Sequence, residues 1–266
     1  MKIPALIIFG ILMAQNVCAQ ELFGTVEDVS GNATMSDANG TSVPVTSGLK
    51  IFTGQSIQTA NDGEVHIVTE DSGLIALRPN SSFRIERYQS KGEPADEVVF
   101  SLFKGALRSI TGWIAKRNPS AYRLNTPTAT IGVRGTDHET TVIEAATEND
   151  LPGTFDTVNE GVTVLQTARG EIEVHPGEHA FAPRDQSIAP AILARHPGFW
   201  KHRAFKIEER IQQRKASLMQ HVQRRLDQKA EGMHPKTGGQ KPEIGNHREA
   251  VKKRIEKRKP RERRIP

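Results

Sequence analysis

Several groupings in this 266-residue chain carry side chains of the kinds that do chemistry. His175-Pro176-Gly177-Glu178-His179 offers two imidazoles and a carboxylate, donors of the kind that hold zinc. Its Pro-Gly pair makes a turn rather than a helix aligning i with i+4, and no third clear ligand stands nearby. A solvated hairpin is expected there, and no metal is assigned. Asp137-His138-Glu139 places three titratable groups in a row, yet neighbours along a strand point to opposite faces, so they form no acid–base dyad. Serines abound without a G-x-S-x-G elbow. Glu93, Asp96, Glu97, Glu144, Glu148 and Asp150 fall mostly in polar loops, where a solvated surface is expected. A glycosidase would need two carboxylates facing each other across a cleft. Neither a phosphate-cradling G-x-x-x-x-G-K-[ST] nor a dinucleotide G-x-G-x-x-G after a strand occurs. No catalytic residue and no cofactor are assigned.

A second grouping reads as structural. In Tyr122–Asp137, Pro127 holds Thr126 extended and removes a ladder donor. Gly132 and Gly135 permit backbone shapes or close approaches denied to other residues, and Thr136 closes the run. Arg134 lies between those glycines, beside Val133. An arginine in so apolar a run is expected to be held as a fork of donors rather than solvated, with Asp137 and Glu160 as candidate partners.

The third grouping is basic. Lys201–Pro266 holds 21 Lys+Arg against 8 Asp+Glu, whereas the preceding 200 residues hold 15 against 23. A basic tail follows an acidic body, and the net charge of +5 averages the two. Lys252, Lys253, Arg254, Lys257, Arg258, Lys259, Arg261, Arg263 and Arg264 are the candidates for contact with an anionic partner. In the cytoplasm such a tail would read as nucleic-acid binding. The N-terminus directs the reading elsewhere. Lys2, an apolar run from Ala5 to Ala14 and the small Ala19 ahead of Gln20 match a secretory signal peptide cleaved after Ala19. The run is too short to span a bilayer, which takes roughly 20 apolar residues. Cleavage would remove Cys18, the single cysteine, so neither a disulfide nor a thiol nucleophile is expected in a periplasmic or secreted product.

These groups need elements to position them. Between Leu22 and Ala191 short β-type segments alternate with turn signals: Val65–Val68, Leu74–Leu77, Ser82–Glu86, Val98–Leu102, Val162–Leu165 and Glu171–Val174. The pattern predicts a mainly β domain over 20–194, built as a sandwich, barrel or stacked solenoid. From Phe199 to about Glu231 the period changes, with Trp200, Ala204, Ile207, Ile211, Leu218, Val222 and Leu226 three, four or seven apart. An amphipathic helix is expected over 195–231. Its narrow stripe, interrupted by Lys215, could pack on the β domain, pair with a second chain as a coiled coil, or lie on a membrane. Residues 232–266 have too few apolar side chains to offset chain entropy and are expected to be disordered.

The segment Thr126-Pro127-Thr128-Ala129-Thr130-Ile131-Gly132-Val133-Arg134-Gly135-Thr136 resembles the T-P-T-A-x-I-G-V-R-G-T signature of the FecR domain. Flanking pieces are similar too. Thr53–Thr59 resembles the family's opening G-D-x-I-x-T with Gln55 for Asp, Leu77–Ser81 its L-x-P-N-S corner, and Gly105–Arg108 its G-A-L strand. Glu160-Gly161-Val162 and Pro176-Gly177-Glu178 resemble its closing elements, so the likeness covers roughly Val43 to Phe181. It implies an exported β-sandwich or β-solenoid-like FecR domain without catalytic residues, used in sensing or scaffolding. Full-length regulators carry an anti-sigma region and a membrane helix ahead of this domain. Only a signal peptide is read here, so the transmembrane-regulator role is not expected. The reading is therefore a non-catalytic module whose basic segment docks on an envelope protein or an anionic surface such as lipid, lipopolysaccharide or cell-wall polymer. An envelope glycan-binding module is the alternative, and a hydrolase of envelope polymer the third reading.

Overall fold

The computed structural model describes residues 20–146, 150–197, 199 and 205–233. The stretch 1–19, read as a signal peptide, and most of the stretch 232–266, read as a tail, fall outside them. Fifteen strands form one hydrogen-bonded sheet. They are β1 (Leu22–Ser30), β2 (Ala33–Ser36), β3 (Ser42–Pro44), β4 (Lys50–Phe52), β5 (Ser56–Thr59), β6 (Glu64–Thr69), β7 (Leu74–Leu77) and β8 (Ser82–Gln89). Then follow β9 (Glu97–Ile110), a short helix α1 (Trp113–Arg117), β10 (Tyr122–Asn125), β11 (Thr130–Ile143), β12 (Gly153–Thr167), β13 (Gly170–Val174), β14 (His179–Pro183) and β15 (Ala191–Ile192). Helix α2 (Phe205–Met233) completes the described chain.

The mainly β expectation holds, and each of the six segments singled out above lies on a strand. What the alternation does not reveal is the length of three of them. β9, β11 and β12 run 14, 14 and 15 residues, and each changes partners part-way. β9 pairs with β8 and β10 over its first half, then with β7 and β11 over its second. β11 leaves β10 after Gly132 and joins β9 from Asp137 onward. β12 pairs with β14 up to Thr157 and with β13 from Thr163. The ladder between β11 and β12 shifts register between Arg134 and Asp137. Gly135 lies there at φ +58°, with Gly161 at φ +79° on the facing strand. A bulge at this point lets one strand serve two neighbours. The path ends at β15 and β4, which do not pair, so the sheet does not close into a barrel.

Alternate residues of these strands supply one inner core. Phe23 packs edge-on to Tyr88 at 5.1 Å, Phe83 lies 5.3 Å from Phe100, and Phe100 meets Tyr122 at 5.1 Å. Leu124, Ile131, Val133 and Leu165 extend that cluster to the later strands. On the opposite face Leu74, Ala76 and Ile110 form a second patch, which Ile211 and Leu218 of α2 cover. Of the three fates open to the apolar stripe, packing on the β body is the one observed. Among the described residues no helix is long and apolar enough to cross a membrane.

Candidate functional site

The signature run forms a corner and then a bulge. Thr126 N donates to Ala129 O at 2.8 Å, and the Thr126 hydroxyl bridges both backbone groups of Ala129, donating to O at 2.9 Å and accepting from N at 3.0 Å. Pro127 occupies the turn between β10 and β11, where no ladder donor is needed. Thr128 anchors the corner from the far side, its hydroxyl 2.7 Å from Thr154 Oγ1 and 3.1 Å from Ala182 O. At the other end Thr136 N donates to Thr111 Oγ1 at 2.8 Å, and Thr136 O accepts from Thr111 N and Oγ1.

Arg134 departs from its expectation. It is exposed, and Asp137 is forked by Arg108 instead, Nε to Oδ1 and Nη2 to Oδ2, both 2.8 Å. Lys215 of α2 adds Nζ–Oδ2 at 2.6 Å and takes Glu160, the other proposed partner, at 2.8 Å. The bulge is the physical reason. It carries Arg134 and Asp137 into different neighbourhoods, the first opposite Val162 of β12 and open to solvent, the second beside β9 and beneath α2. Burial pushes the Asp137 carboxyl up, but the Arg108 fork and the Lys215 ammonium outweigh it and hold the group below the ordinary carboxylate range.

The titratable trio separates as strand alternation requires. Asp137 and Glu139 lie on the face carrying Arg108 and Arg78, the latter 3.5 Å from Glu139 and 3.1 Å from Glu64. His138 turns to the inner face and is fully buried, with Nδ1 2.9 Å from Asp156 and Nε2 3.3 Å from the Tyr122 hydroxyl. Thr140 and Thr163 hydroxyls donate to the same Asp156 at 2.8 and 2.6 Å. His175 and His179 also part. His175 is exposed and 3.9 Å from Glu173, while His179 is buried against the Thr157 hydroxyl at 2.7 Å. Burial and the neighbouring His196 push the His179 imidazole down. Among the described residues no cluster of three metal-ligating side chains occurs. Of the loop carboxylates, Asp96 is buried rather than solvated, accepting from Lys91 N at 2.9 Å and lying 3.3 Å from Arg117. Its loop folds back over the carboxylate, which polar composition does not reveal. Glu148 and the basic candidates from Lys252 to Arg264 lie outside the described residues.

The exposed half of the signature has its own shape. Outward-facing residues of four strands align in rows: Arg123, Gly132, Val164 and Glu173 in one, Asn125, Thr130, Gln166 and Glu171 in the next. Arg134 faces Val162 in a third. A Cβ at Gly132 would meet nothing within 4 Å, so this position leaves the floor open. The result is a groove of about 310 Å³ over β11, with arginines on one side and Glu173 on the other. Arg123 was not singled out from the sequence. Its signal is the alternation of Tyr122-Arg123-Leu124-Asn125, buried, exposed, buried, half-buried.

Residues 55–151 match the family model described as FecR protein. The signature corner, the bulge and Arg108 all fall inside this FecR-like segment. The match is narrower than the likeness read from motifs, whose closing elements at Glu160–Val162 and Pro176–Glu178 lie beyond it on β12 and in the turn before β14. Two crystal structures of a candidate anti-sigma factor from Parabacteroides distasonis ATCC 8503, at 1.65 and 2.50 Å, are similar at 12% identity with a TM-score of 0.40. The similarity covers 52% of this chain and 58% of that one, so the chain spans less than two thirds of that protein's length. No curated protein matches.

Proposed function

We propose that the chain is an exported, non-catalytic sensing or scaffolding module of FecR type, whose basic C-terminal segment docks on an anionic envelope surface or partner. FecR-type domains are generally periplasmic, which fits the signal peptide read at the N-terminus. The observation that best supports a module without catalysis is the fate of its buried acids and histidine. Asp137 is forked by Arg108, and His138 is enclosed with Asp156, so these three groups are clamped by partners and closed to solvent. A catalytic acid or base must instead reach a substrate proton. The excess of cations after Lys201 supports docking, since each basic residue near an anionic surface contributes about 1 kcal/mol.

The test removes the basic segment without disturbing α2, which packs on the sheet through Ile211, Lys215 and Leu218. Full-length chain and a version ending at Met233 are compared for binding to vesicles containing phosphatidylglycerol. Docking predicts strong binding by the full chain at low salt, steep loss with added salt, and little binding by the shortened form. Equal binding by both forms would overturn it.

A further inference from the structure

We infer that the groove over Gly132 binds an extended peptide segment whose side chains alternate acidic and basic. The argument starts from the arginines. Between β1 and β15 every other arginine is held: Arg78 by Glu64, Arg84 by Glu86, Arg87 by Glu97, Arg108 by Asp137 and Arg117 by Asp96. Arg169 and Arg184 donate to the carbonyls of Gln186 and Glu144. Arg123 and Arg134 alone among these have no partner among the described residues, and both line the same groove.

Their spacing is set by the ladder. Arg123 stands opposite Gly132, and Arg134 is two residues further along β11. Diagonal neighbours of this kind are about 7–8 Å apart. Same-face residues of an extended chain repeat about every 7 Å, from a rise of about 3.3–3.4 Å per residue. Two acids two residues apart on one edge of an extended peptide therefore meet the two guanidinium groups in turn. On the far wall Glu173 of β13, exposed, presents a carboxylate across from Arg123. The side chains between the two acids point to that wall, and a basic residue there completes the match. Glu173 lies 3.9 Å from the exposed His175. Val162 and Val164 supply an apolar floor, and the missing side chain at Gly132 gives the peptide depth. A uniformly acidic segment would meet repulsion from β13, so the two walls select for alternation as well as charge.

The site does not involve the basic C-terminal segment, so it stands or falls separately from vesicle docking. Two fluorescein-labelled peptides of identical composition serve as probes, one with a Glu-Lys-Glu-Lys core and one with Glu-Glu-Lys-Lys. Equal charge cancels general attraction to the basic tail. Anisotropy titrations of the full-length chain should show the alternating peptide bound about tenfold more tightly than the block peptide. Arg123→Glu with Arg134→Glu should remove that preference, as should Glu173→Lys, with melting temperatures unchanged. Gly132→Val should do the same by filling the floor. Equal affinity for the two peptides, no binding of either at about 1 mM, or a preference that survives the double arginine change would overturn the inference. So would displacement of the alternating peptide by phosphatidylglycerol vesicles that need the same two arginines, because the groove would then be a lipid-headgroup site.

Discussion

Lys215, the charge that interrupts the apolar stripe of α2, places its ammonium 2.6 Å from Oδ2 of Asp137, a carboxylate with no exposed surface. The interruption is therefore the contact. Ile211 lies one turn before it and Leu218 one turn after, both buried against Leu74, Ala76 and Ile110. The helix thus seats one cation on the sheet between two apolar anchors. Replacing Lys215 by Met keeps the apolar stem and removes the charge, leaving Asp137 to the Arg108 fork and to Asn159 Nδ2 at 3.3 Å. The expected cost is about 1.5–3 kcal/mol, the range for a hydrogen bond to a charged group. Urea denaturation checks it, and an unchanged midpoint would mean that the pairing contributes nothing.

The same carboxylate sets a pH dependence. Its folded pKa lies below the ordinary 3.8, so the unfolded chain takes up its proton first as pH falls. The stability that Asp137 contributes is present above the unfolded value and is lost as pH drops through the folded one. Asp137→Asn takes the anion from the buried Arg108 and leaves Lys215 to Glu160, at a cost of about 3–5 kcal/mol near neutrality. The gap between variant and native protein should shrink as pH is lowered from 5 toward 2. Melting temperatures across that range decide the matter, and a constant gap would mean that the carboxylate is not the titrating group.

Asp71 predicts the opposite slope. Burial raises its carboxyl above 3.8, against hydrogen bonds from the Thr69 hydroxyl at 2.5 Å and the Tyr88 hydroxyl at 3.2 Å. With the folded value raised, its contribution is full below the unfolded pKa and is lost as pH rises through the folded one. Asp71→Asn retains an acceptor for both hydroxyls and cannot ionise. Relative to the native protein, the variant should gain stability as pH climbs from 4 toward 7. A difference that does not change over that span would count against a raised carboxyl.

How far the sequence speaks is clearest at the two arginines of the motif region. Apolar–polar alternation and turn residues placed the strands, and the Thr126–Thr136 run announced a rigid corner. Neither can say which arginine reaches Asp137, because that depends on which strand lies beside which half of β11. The exchange of partners at Gly135 is a pairing decision between segments far apart in the chain, with β9 supplying Arg108 from 29 residues upstream. For the same reason the groove was invisible. Arg123, Gly132, Val164 and Glu173 form a row only once four strands are in register. The consequence reverses the expectation drawn from composition. Arg134→Ala should leave stability within about 0.5 kcal/mol, as for an exposed residue without partners, while Arg108→Met should cost about 3–5 kcal/mol. Chemical denaturation of the two variants side by side would reveal an error if their order were inverted.

The bulge itself can be tested on the strand that faces it. Gly161 has φ +79°, and a Cβ there would lie 2.5 Å from the carbonyl oxygen of Gly135 and 2.8 Å from Thr136 Cγ2. The obstructing oxygen is backbone at the bulge, held between the paired residues Arg134 and Asp137, so it cannot swing aside as the end of a long side chain would. Gly161→Ala should therefore cost at least about 2 kcal/mol, from conformational strain and from the displaced carbonyl together. Gly132→Ala supplies the control, since its backbone needs no positive φ and a Cβ there meets nothing. That change should be close to neutral, or slightly stabilising through a less flexible unfolded chain. Because the bulge lets β11 pass from β10 to β9, the Gly161 variant should also loosen the Asp137 fork. Hydrogen exchange should then quicken at Asp137 and His138 before it does at Ile131. Faster exchange at Ile131 alone would show that the two halves of β11 do not depend on this hinge.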